Sequence, residues 1–119
     1  LRSCDGCDLS DAKLRYEDLK NASLVEADLS GAELRAADLS GANLTGANLT
    51  GANLTGTDLN GAVLQGANLR DADLTNSNLL RSDLRDADLS TIELAPARYR
   101  GATVCGTKIK GGVLDRDCR

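Results

Sequence analysis

Leucine recurs at every fifth position from Leu9 to Leu94, eighteen times without a gap. The register runs on through Tyr99, Val104, Ile109 and Leu114. Two residues before each leucine the side chain is small. From Ala12 to Ala87 that slot holds alanine twelve times in sixteen, the exceptions being Glu17, Thr57, Ser77 and Ser82. A period of five suits neither regular element. On an α-helix each step of five carries the leucine about 140° further round, spreading the apolar set over every side. On an extended strand an odd period sends successive leucines to opposite faces. All of them can point inward only if the chain bends once per repeat. Gly31, Gly41, Gly46, Gly51, Gly56, Gly61 and Gly66 stand two residues after a leucine, where such a bend favours tolerance of positive φ. The pattern predicts a solenoid of short sides and many corners, each repeat packing on its neighbours.

The most regular stretch is Ala42-Asn43-Leu44-Thr45-Gly46, followed by near copies at 47–51 and 52–56. This tandem Ala-(Asp/Asn)-Leu-X-X pattern resembles the pentapeptide-repeat family, closely over residues 7–95 and loosely over 96–114. The resemblance implies an all-β fold, a right-handed, four-sided parallel β-helix with four repeats per coil, so that residues 20 apart stack. One column would then hold Asp18, Asp38 and Asp58, continued by Asn78 and Arg98, and one core column Leu9, Leu29, Leu49, Leu69 and Leu89. A single domain over 1–119 is expected. Its parts are an N-terminal lead-in and cap at 1–8, regular repeats at 9–95 and an irregular last coil or cap at 96–119. Pro96 marks the break, and Val104, Ile109 and Leu114 either continue the coil or fold over its end.

Composition agrees with a thin core. There is no Phe, Trp or Met, and Tyr16 and Tyr99 are the only aromatics, whereas a globular core of this length fills its volume with larger side chains. The net charge of −4 is uneven: residues 1–95 carry 16 acidic and 8 basic side chains, residues 96–119 carry 2 and 6. An acidic body lacks the basic face that phosphate binding needs, so no nucleic-acid partner is expected. No apolar run reaches the ~20 residues of a membrane span. The chain starts without Met and has no signal-peptide apolar region, as expected of a mature or trimmed fragment.

Little in the sequence carries chemistry. The absence of His removes the commonest general base. Asp71/Asp73 and Asp86/Asp88 are carboxylate pairs, but Asp or Asn before leucine reads better as a side chain satisfying corner backbone groups. Asp83, Asp86 and Asp88 lack the spacing of a calcium loop, and no Gly-Lys-Ser/Thr occurs. No enzyme activity, cofactor or metal is expected. The four cysteines say more: Cys4 and Cys7 form a Cys-x-x-Cys, and Cys105 and Cys118 lie near the other end. Bridged Cα atoms must lie within ~7 Å, so a solenoid permits Cys4–Cys7 and Cys105–Cys118 alone, and it separates the pairs too far for a shared zinc. A Cys105–Cys118 bridge requires the tail to turn back across the coil end. For Cys4/Cys7 a structural staple stands against a redox-active pair or free thiols.

The reading that follows is a non-catalytic structural or protein-interaction module in an oxidising compartment. Family members with a Cys-x-Gly-Cys-Asp-Leu start and terminal cysteines are typical of cyanobacteria and the chloroplast thylakoid lumen, which implies the lumen or the periplasm; a cytoplasmic home is the alternative. The second reading is an acidic DNA mimic, as in family members that protect DNA gyrase. The missing Phe, the short rod and the paired cysteines weigh against it. A protein partner would meet the Asp18/Asp38/Asp58 face or the basic end around Arg98, Arg100, Lys108 and Lys110. An uncapped end invites pairing, so the chain is expected to be a monomer or an end-to-end dimer.

Overall fold

A computed structural model describes residues 3–118, apart from the side chains of Pro96 and Ala97; Leu1 and Arg2 of the lead-in and Arg119 lie outside the described residues. The corner is the unit from which the rest is built. In each repeat the residue after the corner donates its N–H to the leucine carbonyl three back, as Ala32 does to Leu29 at 3.0 Å. The residue between them that closes the turn has positive φ, as a type II turn requires. From Gly6 to Asp86 every such corner slot has φ between 56° and 69°, whether Gly or not.

Each corner turns the chain onto a new side, and each side pairs through the single residue before its leucine. Ser3 pairs in parallel with Ser23, Asp8 with Asp28, Lys13 with Glu33 and Asp18 with Asp38, and these four columns run on up the rod in steps of 20. Leu29 N–H donates to Asn48 O at 2.7 Å, and Asn48 N–H donates to Ala27 O at 3.0 Å. One paired residue per side is too short for an ordinary strand, so among the described residues formal strands appear only near the C-terminus. The molecule measures 34 × 25 × 19 Å.

Leucines and the small residues fill the inside. From Leu24 to Leu69 every leucine slot is essentially inaccessible. Thr57, Ser77 and Ser82 fit the alanine slot with their polar groups satisfied, because their buried hydroxyls donate to the carbonyls of Leu34, Leu74 and Leu79 at 2.7–2.8 Å. Glu17 is tolerated because it sits exposed in the first coil.

The rhythm fails at two corners. Thr91 occupies a corner slot without positive φ, since a β-branched side chain resists that region, and Pro96 fills the next corner slot, where the fixed negative φ of proline rules it out. Pro96–Tyr99 forms a 3₁₀ turn instead. The coil then resumes: Asp83 pairs with Thr103, and β1 (Asp88–Leu89) pairs in parallel with β2 (Thr107–Ile109). Beyond β2 the chain doubles back through an antiparallel β3 (Gly112–Leu114). Val104 therefore continues the core while Leu114 folds over its end, so each sequence alternative holds for part of the tail.

The returning tail replaces the missing next coil group by group. Asp117 Oδ2 accepts the Val104 N–H at 2.8 Å and Asp115 Oδ1 the Gly106 N–H at 2.9 Å, where another coil would offer carbonyls. The Arg116 guanidinium donates to Ala102 O. The Cys105–Cys118 disulfide, with Cα atoms 5.0 Å apart, holds these three in place. Replacing Asp117 by Ala orphans the Val104 N–H and should cost about 1–3 kcal/mol in urea unfolding. Removing both Cys105 and Cys118 should cost about 3 kcal/mol through loop closure.

Corner chemistry gives a second test. Ala36 has φ 56°, a strain of about 1–2 kcal/mol for a residue with a Cβ. Glycine there removes the strain but gains about 0.4–1 kcal/mol of unfolded-chain freedom. Ala36→Gly should therefore stabilise the protein by about 0.5–1 kcal/mol by the same measurement. Gly31→Ala should destabilise it by the strain itself, about 1–2 kcal/mol, since the new Cβ meets only the carboxylate of Asp11, an exposed side chain that can turn aside.

Candidate functional site

The acidic column lies where the pairing register puts it. Asp18 pairs with Asp38, Asp38 with Asp58 and Asp58 with Asn78. Each carboxylate spends one oxygen on its own corner. Asp18 accepts the Lys20 N–H at 3.1 Å, Asp38 the Ser40 N–H at 3.0 Å and hydroxyl at 2.6 Å, and Asp58 the Asn60 N–H at 3.0 Å. The other oxygen of Asp38 lies 3.8 Å from Lys20 Nζ, which relieves part of the like-charge repulsion along the column.

The same arrangement explains the other carboxylates. Asp73 and Asp88 hold Thr75 and Ser90, while Asp71 and Asp86 are themselves corner residues with φ 62° and 58°. Asp83 lies 2.6 Å from the Arg85 guanidinium. Among the described residues, the group with metal-ligand spacing is Cys105, Asp115 and Cys118, and its two sulfurs are bonded to each other. At the other end Cys4 and Cys7 are bridged across the first described corner, with Cα atoms 5.3 Å apart.

The basic end divides. The Arg98 guanidinium turns inward, its Nη2 donating to Leu74 O at 2.7 Å and Ser77 O at 2.6 Å. Arg100, Lys108 and Lys110 are exposed, and Lys110 Nζ lies 3.5 Å from Glu93. Sequence reasoning overlooked a groove beside Arg98, between residues 71–75 and 91–94. Its signal was available in two corner slots filled by Thr91 and Pro96.

Hydrogen bonds to the ionised form hold the corner carboxyls below the usual range. The Ser10 hydroxyl does so for Asp8, Ser40 for Asp38, Thr75 for Asp73 and Ser90 for Asp88, and the Arg85 guanidinium for Asp83. Each such group contributes stability that is present above the unfolded carboxyl range near pH 3.9 and is lost as pH falls through the lowered folded value. Asn keeps the accepting oxygen and takes no proton. Asp38→Asn with Asp73→Asn should therefore be less stable than the parent near pH 7 and lose less stability than it between pH 5 and 2, so that the two converge in acid, as read by thermal unfolding.

Comparisons with known proteins place this geometry. The family model described as pentapeptide repeats matches in eight copies over residues 3–41, 27–66 and 52–90. A crystallised pentapeptide repeat protein from Nostoc Pcc 7120 is 36% identical, with a TM-score of 0.74, covering 92% of this chain and 85% of that one. HetL, a pentapeptide repeat protein involved in heterocyst differentiation regulation in Nostoc, is 38% identical over 86% of this chain and 45% of its own, with a TM-score of 0.42. A pentapeptide repeat protein of the Arabidopsis thaliana thylakoid lumen is 28% identical over 95% of this chain and 68% of its own, with a TM-score of 0.29. Comparison with curated protein sequences gave no match. With a repeat model spanning most of its length and a well-superposing relative, the chain belongs to the pentapeptide repeat family.

Proposed function

We propose that this chain is a right-handed, four-sided β-helix acting as a non-catalytic structural or protein-interaction module of an oxidising compartment. The observation that carries the reading is the closure of both cysteine pairs, one at each end of the rod. Disulfides of this kind persist in oxidising surroundings and are rare in the cytosol. The relative that superposes well is cyanobacterial, and such cells hold two oxidising spaces, the periplasm and the thylakoid lumen. The carboxylates described above are engaged in building corners, which leaves them suited to present a surface rather than to move protons.

Two exposed faces are the candidates for contact: the Asp18/Asp38/Asp58 column, and the basic end at Arg100, Lys108 and Lys110 beside the inward Arg98. The DNA-mimic reading rests on that column, whose like charges repeat at the spacing of successive coils. A supercoiling assay with DNA gyrase tests it, and undiminished supercoiling at excess protein rejects it.

Alkylation at lysis without reductant, in the native source, should find all four cysteines blocked; four free thiols would return the protein to a reducing compartment. Partner capture from lumenal or periplasmic extract should then be compared across two variants. Asp18→Asn/Asp38→Asn/Asp58→Asn removes the column's charge and keeps its corners, and Arg100→Glu/Lys108→Glu/Lys110→Glu reverses the basic end. One of the two should lose the captured protein at least tenfold. Equal capture by both variants would reject the two faces as contact surfaces.

A further inference from the structure

The wall of the rod opens between residues 71–76 and 91–95. Below the opening the ladder is intact: Leu54 N–H donates to Asp73 O at 2.8 Å and Asp73 N–H to Ala52 O at 2.9 Å. Above it the ladder resumes, with Leu79 N–H on Arg98 O at 3.2 Å and Arg81 N–H on Arg100 O at 3.0 Å. Between them, among the described residues, no backbone hydrogen bond joins 72–76 to 91–95. Ala72 C=O, Leu74 N–H and Asn76 N–H on one lip, and Glu93 N–H and C=O on the other, lack the bonds that their counterparts make wherever two lower coils stack on this side. The lips are tethered at one corner, where Asp71 N–H donates to Thr91 Oγ1 at 2.7 Å in place of a carbonyl.

The opening has a cause in the chain. Thr91 and Pro96 refuse the left-handed corner on either side of the short segment 92–95, so that segment leaves the register, and Arg98 fills in behind it by bonding Leu74 O and Ser77 O. The result is a groove of about 450 Å³, with Leu74, Ile92 and Leu94 in its lining and Asp71, Asp73 and Glu93 about it. That volume lies within the range of ligand-binding clefts.

We propose that this groove takes an extended, basic segment of a partner protein, bound as an added strand. The inference rests on the interaction-module reading and names its site. Unpaired backbone groups on a sheet edge are completed by an incoming strand, which supplies main-chain bonds while alternate side chains find pockets. Charge selects the strand. Three carboxylates line the groove against one guanidinium, and that guanidinium is already committed to carbonyls. The Lys110–Glu93 pair is exposed, and an incoming cation can displace it at little cost. The carboxylates are spread along the lips rather than gathered at metal-ligand spacing, which suits lysines at alternate positions of a strand.

The test uses the full chain and two synthetic peptides, acetyl-Lys-Val-Lys-Thr-Lys-Val-amide and its counterpart with Glu for Lys, in a nitrogen-15 NMR titration with hydrogen exchange. In the free protein the Leu74 and Asn76 amides should exchange far faster than that of Leu54, whose ladder is closed. The basic peptide should give saturable shifts confined to 71–76 and 91–95 and slow both amides, and the acidic peptide should not. Asp71→Asn/Glu93→Gln should weaken binding at least tenfold with Leu54 protection unchanged. Thr91→Gly/Pro96→Gly restores both corners, so it should close the ladder, protect Leu74 and abolish binding. A Leu74 amide as protected as that of Leu54 would overturn the proposal. So would shifts scattered over the Asp18–Asp58 column, no saturable shift at all, or equal binding of the two peptides. If one face variant still loses its captured partner while the peptide fails, the groove is rejected and the interaction module stands.

Discussion

A left-handed residue at every fifth position is the constraint on which the rod depends. It closes the turn from one leucine carbonyl to the next small residue, and so returns each leucine to the inside. The same turn leaves only one residue per side free to pair, which is why the ladder is a series of single bridges. Glycine meets the constraint without strain. Asp and Asn meet it at modest cost at Asp11, Asn21, Asp71, Asn76 and Asp86, while Tyr16, Glu26, Ala36 and Arg81 are held there by their neighbours. With the backbone this determined, a core of leucine, alanine and a few small polar residues suffices, because each coil needs only to match the next.

The fold was legible because its period belongs to no other element. The small slots at Thr57, Ser77 and Ser82 were exceptions to alanine in sequence, and in space they obey the same rule of size with an added hydroxyl bond. The disulfide pairing was legible for the same reason: a rod keeps its two ends apart. The cap was not. Asp115, Arg116 and Asp117 stand outside the five-residue register, and their role appears only once β3 has turned back and set them against Val104, Gly106 and Ala102. Side chains that imitate a coil carry no periodic signature.

The sequence view of the acidic and basic residues needed more correction than the view of the core. Asp18, Asp38 and Asp58 stack as the register requires, yet part of each carboxylate belongs to its own corner. Arg98 continues the column in register but turns its charge inward. Linear reading assigns a charge to a face and says nothing of which atoms the backbone has already claimed. A map of potential drawn from formal charges alone would therefore overstate both faces.

Uniformity of this kind has a consequence for where recognition can occur. A wall whose backbone groups are all paired offers a partner only side chains, and most of those here are short, polar and engaged. Main-chain bonding, with its greater geometric demand, is available only where the ladder ends or parts. The C-terminal end is covered by its own tail, using three side chains and a disulfide. The break at Thr91 and Pro96 is left open, in a fold that elsewhere tolerates even tyrosine at a corner. Two residues that refuse the corner, five positions apart, are what give an otherwise closed wall an edge.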